Sequence, residues 1–183
     1  MRNQTRFLSG VTAVAAIAIA SAGGSSVTAG GSETASPFAP VGTADGCSAL
    51  KGMTVENGTV IAAEHYLAGD LIVGGATAGA KAETPLCRTR IRLSAEVGSE
   101  IQVEVWLPDR WNDKMMGLGG GGFDGGLSLG GAGSLNKAAS QGYAVIANDA
   151  GHTPAPSVGT WAHGAPQKIV DFGHRAGHLA AVA

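Results

Sequence analysis

The residues with the most evident chemical potential are those with no side chains: Gly117-Leu118-Gly119-Gly120-Gly121-Gly122-Phe123-Asp124-Gly125-Gly126. Without a Cβ, backbone N–H groups can turn toward a guest and let it approach closely. Behind a strand in an α/β chain, such a loop cradles an anion, either a phosphate or the oxyanion of acyl transfer. Two familiar formulas overlap this tract. Gly126-Leu127-Ser128-Leu129-Gly130 matches the Gly-x-Ser-x-Gly nucleophile elbow, with Asp149 and His152 following in triad order. However, an elbow needs a strand just before its serine and a helix just after. Ser128 instead follows a loop and precedes more glycine. Asp149 and His152 also sit three residues apart in one loop, poorly placed to approach a serine and an imidazole from opposite sides. The second formula, Gly120-x-Gly122-x-x-Gly125, matches a dinucleotide fingerprint, with Asp149 where a ribose-binding acid belongs. There the helix should open at the third glycine, whereas the next helical pattern starts about nine residues later.

The remaining candidates are fewer. His152 follows Asn148-Asp149-Ala150-Gly151 at the C-terminal end of a strand, the edge where α/β sites form. His163, His174 and His178 surround the last helical stretch, with His174 and His178 one turn apart. They lack a carboxylate or third histidine at matching spacing, so we read them as buried hydrogen-bonding residues rather than a metal site. Trp106, Trp111 and Trp161 read as packing residues, with Trp111-Asn112 placed to buttress the glycine loop.

The elements that position these residues follow from periodicity. Residues 59–66 are apolar and β-branched, residues 86–93 alternate, and Ile101, Val103, Val105 and Leu107 alternate with Gln102, Glu104 and Trp106. Gly98-Ser99 makes the turn of a hairpin or meander at one sheet edge. Residues 114–118 predict a short buried strand leading into the glycine loop. Ser134 then caps a helix over 135–141 that Gly142 ends, and residues 143–148 predict a central parallel strand. Strand, loop, helix and strand make one βαβ unit. Pro166 starts a last helix whose apolar face holds Ile169, Phe172, Gly173, Ala176, Leu179, Ala180 and Ala183. No stop signal precedes Ala183, and so few parallel strands look unfinished, so we read a fragment.

Composition sets the compartment. Arg2 and Arg6 head an apolar run at 11–20, too short to span a bilayer, and Ala20-Ser21-Ala22 offers a signal-peptidase site. We therefore expect a signal peptide at 1–22, a flexible low-complexity linker at 23–46, and the folded part at 47–183, in a secreted protein. A net charge of −2 without a basic patch argues against nucleic acid. After signal cleavage no membrane partner is expected. Asn57-Gly58-Thr59 is a glycosylation sequon in a eukaryotic host. Cys47 and Cys87, unaccompanied by further ligands, read as a disulfide. It would close a loop of about 40 residues and stabilise by about 3–4 kcal/mol.

Several segments taken in order resemble one family. They are Val105-Trp106-Leu107-Pro108 with Trp111-Asn112, Gly119-Gly120-Gly121-Gly122-Phe123, Gly142-Tyr143-Ala144, Asn148-Asp149-Ala150-Gly151-His152, Trp161-Ala162 and Asp171-Phe172-Gly173-His174-Arg175-Ala176-x-His178. The stretch from Cys47 to Ala183 resembles the N-terminal half of the tannase and feruloyl esterase family of secreted serine esterases. Cys47-Ser48-Ala49-Leu50 and Pro85-Leu86-Cys87-Arg88 resemble its opening segments.

The resemblance implies an α/β-hydrolase-type fold with an N-terminal antiparallel strand region, ending before the nucleophile elbow and lid domain. It implies hydrolysis of hydroxycinnamoyl or galloyl esters, in plant polyphenols or cell-wall material, through a serine acyl-enzyme. The family's serine lies in a Cys-Ser-x-Gly-Gly elbow, followed by an Asp and a His. None of these is in this chain, nor is the lid in which many members carry calcium. No cofactor is expected within these residues. By resemblance, Gly121 or Gly122 donates one oxyanion-hole N–H, and Cys47 and Cys87 correspond to a family disulfide. Members usually carry Asn where Gly120 stands and Ala where Asp124 stands, so Asp124 either points outward or retunes the loop. The chain alone should be inactive. The alternatives are a secreted binding module that never was an enzyme and, less favoured, a dinucleotide-binding oxidoreductase.

Overall fold

The computed structural model describes residues 42–127, 131–153 and 157–183. The expected signal peptide, the linker up to residue 41, and Ser128 of the elbow-like motif lie outside the described residues. Folded structure begins slightly before Cys47, with helix α1 (Ala44–Ser48), whose Gly46 N–H donates to Thr43 Oγ1 at 3.1 Å. Cys47 on this helix is disulfide-bonded to Cys87.

Strands β1 (Thr54–Val55), β2 (Gly58–Tyr66), β3 (Leu86–Leu93) and β4 (Ile101–Pro108) form an antiparallel meander. The β3–β4 turn is closed by the Ser99 N–H donating to the Glu96 carbonyl at 3.0 Å, with Gly98 at φ +88°. Only a residue without Cβ adopts that φ readily, which is the signal the sequence carried. Strand β5 (Met115–Leu118) and strand β6 (Ala144–Asn148) pair in parallel, and β6 lies antiparallel against β4. The six-stranded order is β1-β2-β3-β4-β6-β5. Thus β6 is interior, as its unbroken apolar run requires. The strand expected to be buried at 114–118 has β6 as its one strand neighbour among the described residues, and Met115 is 56% exposed. Its apolar composition reports what it could bury; how many neighbours it has is a matter of topology.

Helix α2 (Gly131–Ser140) crosses from β5 to β6, completing the βαβ unit. It begins before Leu135, so Ser134 lies within the helix rather than capping it. Gly142, at φ +87°, ends this segment as expected. The last helix starts at Pro166 as α3 (Pro166–Val170), passes through a wide π turn (Asp171–Arg175), and continues as α4 (Ala176–Val182). Because a π turn takes an extra residue, it shifts the helical phase. Accordingly Ile169 is exposed and Asp171 takes a buried position, while Ala176, Leu179 and Ala180 face the sheet.

Both sheet faces are covered. Cys47, Val60, Ile91, Ile101 and Val103 pack with α4, whereas Tyr66, Leu86, Trp106 and Val145 pack with α2 and with Ile72. On the second face Arg88, fully buried, forms a two-point pair with Glu104 and donates to the Val73 and Gly74 carbonyls. Glu104 also accepts from Thr77 Oγ1 at 2.9 Å and Trp106 Nε1 at 3.2 Å. This network fastens the long β2–β3 connection across the sheet.

Candidate active site

The C-terminal ends of β5 and β6 lie side by side, and each opens into a glycine-containing loop. Gly119 to Gly122 leave β5 exposed, and no acceptor among the described residues takes their N–H groups. A Cβ on Gly121 would meet nothing within 4 Å, and Gly122 sits at φ +64°. Gly120 is different: a Cβ there would lie only 2.5 Å from Asp124 Cβ. Asp124 is 9% exposed and accepts from the Gly126 N–H at 3.3 Å. Its carboxylate therefore folds back into its own loop, which accounts for glycine at 120 and aspartate at 124 together. These two loops, with Phe172, Ala176 and Gly177, line a cleft of about 260 Å³.

The β6 loop is held by its own side chains. Asp149 Oδ1 accepts from the Gln102 N–H and the Gly151 N–H, each at 2.9 Å. Burial pushes its carboxyl up to about 6, against the pull of those two bonds and of His152. Ala150 at φ +53° and Gly151 at φ +76° bend the chain so that His152 turns inward. Gly151 lies against the fully buried Asp171, whose Oδ1 pairs with Arg175 at 2.9 Å. Asp149 and His152 are thus committed to backbone partners, and neither is offered to a hydroxyl. Gly125 packs against the His152 ring, and α2 starts at Gly131, so the third glycine of the fingerprint does not open a helix.

The other expected residues fall as follows. His163, His174 and His178 are exposed rather than buried: His163 ends the short turn before Pro166, and His174 and His178 lie on the helix side opposite Ala176, Leu179 and Ala180, which face the sheet. Among the described residues no three metal-capable side chains come together. Trp106 is a core residue, and Trp161 joins Phe123, Phe172 and His152 in a ring cluster. Trp111 donates to the Lys114 carbonyl, and Asn112 donates to the Gln141 carbonyl at 2.9 Å. Both brace the turn before β5 rather than the glycine loop itself. Sequence reasoning assigned Asp171 no role, although it heads one of the segments that carry the resemblance and is an acid inside an apolar stripe.

Comparison with known proteins defines the class. An esterase from Aspergillus oryzae of known structure aligns at a TM-score of 0.62 and 21% identity, covering 76% of this chain and 28% of its own. Feruloyl esterase B from the same organism aligns at 0.62 and 23%, covering 71% and 26%. These are esterases of α/β-hydrolase type, and that is the fold class of this chain. The family model for tannase and feruloyl esterase matches residues 87–183, just over half of the chain. The chain belongs to the tannase and feruloyl esterase family, whose members are carboxylic ester hydrolases. A probable feruloyl esterase B-2 of Aspergillus flavus is 30% identical over 97 residues, 53% of this chain and 18% of the relative. An uncharacterized esterase of Xanthomonas campestris is 38% identical over 79 residues, 43% of this chain and 13% of the relative. The chain spans less than a third of each of these proteins.

Proposed function

We propose that this chain supplies the oxyanion-binding side of the active site of a secreted serine esterase acting on hydroxycinnamoyl or galloyl esters. The observation that carries this reading is the run of exposed amides from Gly119 to Gly122, free of internal acceptors among the described residues. In that reading the N–H of Gly121 or Gly122 donates to the carbonyl oxygen as it gains negative charge. A second donor follows the nucleophilic serine. Aimed where charge develops, one such donor lowers the barrier by about 3–4 kcal/mol. The serine, its aspartate and its histidine lie outside these residues, in a segment carrying the Cys-Ser-x-Gly-Gly elbow. The disulfide between Cys47 and Cys87 supports an oxidising compartment. The described residues contain no helix long and apolar enough to cross a membrane.

The test is a comparison of two polypeptides, the 183-residue chain and the product of its reading frame extended through the elbow and the aspartate and histidine expected after it. The longer one is expected to hydrolyse methyl hydroxycinnamates or gallate esters and to be inactivated by serine-directed phosphonates, whereas the shorter one should be inert. Phosphonate-sensitive turnover by the short chain alone would overturn the assignment.

A further inference from the structure

The β6 loop carries an imidazole for which the proposed chemistry has no use. His152 is 3% exposed, and each of its ring nitrogens faces a backbone carbonyl. Nε2 lies 3.1 Å from the Phe123 oxygen, and Nδ1 lies 3.3 Å from the Ala150 oxygen. Carbonyl oxygens only accept, so a ring nitrogen can bond to either of them only when it carries a proton. A neutral ring protonated on Nε2 serves the shorter contact, and an imidazolium serves both. Trp161 stacks on the ring with centroids 3.9 Å apart and planes at 19°. Phe172 closes a second side at 5.7 Å, and Gly125 packs against the ring where any Cβ would collide with it.

Phe123 directly follows the glycine run. Four successive glycines have the greatest backbone freedom of any residues, and no hydrogen bond among the described residues holds their own N–H groups. A donor fixed on the Phe123 carbonyl sets the Phe123–Asp124 peptide plane, the one just past the run, and so anchors the run's C-terminal side. We propose that His152 is a positioning residue, tying the Phe123 carbonyl to the β6 loop so that the glycine amides stay aimed into the site. It acts through the loop and does not touch the ester. The kinetic part of this inference rests on the esterase reading; the structural part does not.

Three variants in the extended enzyme separate the contributions. His152→Phe keeps the stacking on Trp161 but has no donor. His152→Gln carries an amide N–H to about the position of Nε2, and His152→Asn reaches only toward Ala150. A loosened oxyanion site weakens binding of the transition state more than of the substrate. We expect kcat to fall about 10- to 100-fold in the Phe and Asn variants with KM within about twofold, and Gln to recover most of kcat. Backbone N–H order parameters over residues 119–124 should fall in His152→Phe while those across the sheet stay unchanged. The inference is overturned if His152→Phe retains kcat, if Gln is as poor as Phe, or if the order parameters of that segment are unaltered. Should the parent enzyme hydrolyse no ester, the esterase reading fails on its own, and the order parameters still decide the role of His152. If His152→Phe does not fold, the comparison of Gln with Asn decides it.

Discussion

At the scale of single residues, the site is built from side chains that serve the backbone. Asp124 folds under Gly120, Asp149 holds two N–H groups, and His152 faces two carbonyls. Asp149 carries a measurable cost. Because its carboxyl is pushed up to about 6, the folded chain retains a proton between pH ~4 and ~6 that the unfolded chain has released. Stability therefore falls as pH rises through that window and is level above it, a span of about 3 kcal/mol. Asp149→Asn keeps an oxygen for Gln102 and Gly151 and removes the charge. It should be more stable than the parent by about 2 kcal/mol at pH 7, with the advantage vanishing near pH 4. Urea unfolding across that range checks it, and a pH-independent difference would contradict it. None of these roles was legible in the sequence. Asp149 and His152 stand in triad order, and their closeness in one loop already argued against a triad, but residue types and order carry no information on which backbone groups they meet.

The elements show a sharper division between what was legible and what was not. Strands β2, β3 and β4, the Gly98 turn, the stop at Gly142 and the start at Pro166 were readable because each rests on local alternation or backbone geometry. The exposure of β5 among the described residues, the burial of Arg88 and the phase of the last helix were not, because each depends on distant partners or on one extra residue in a turn. Arg88 occupies a strand position that periodicity assigns only to a face, and Glu104 on the neighbouring strand makes that position a buried charge pair. Breaking such a pair on one side is costly, about 3–5 kcal/mol, since the remaining charge stays buried. Arg88→Met should lose about that much stability in chemical denaturation. Adding Glu104→Met should restore a large part of it. A double variant no better than the single would mean that anchoring of the β2–β3 connection, rather than the buried charge, sets the loss.

For the molecule as a whole, the architecture follows a simple division. One part of the sheet is a disulfide-anchored antiparallel meander, and the other is a parallel pair whose C-terminal ends carry the two glycine-containing loops. The meander supplies β4, on which β6 is laid, and β6 in turn sets the level of β5 and its glycines. This chain spans less than a third of the relatives it matches, and in the proposed reading the site is shared with segments beyond these residues. The most direct test of that account is the structure of the extended enzyme inactivated by an aryl phosphonate. The phosphonyl oxygen stands in for the oxyanion. It should lie about 2.7–3.1 Å from the N–H nitrogen of Gly121 or Gly122. A phosphonyl oxygen turned to solvent, or held only by groups outside the glycine loop, would contradict it.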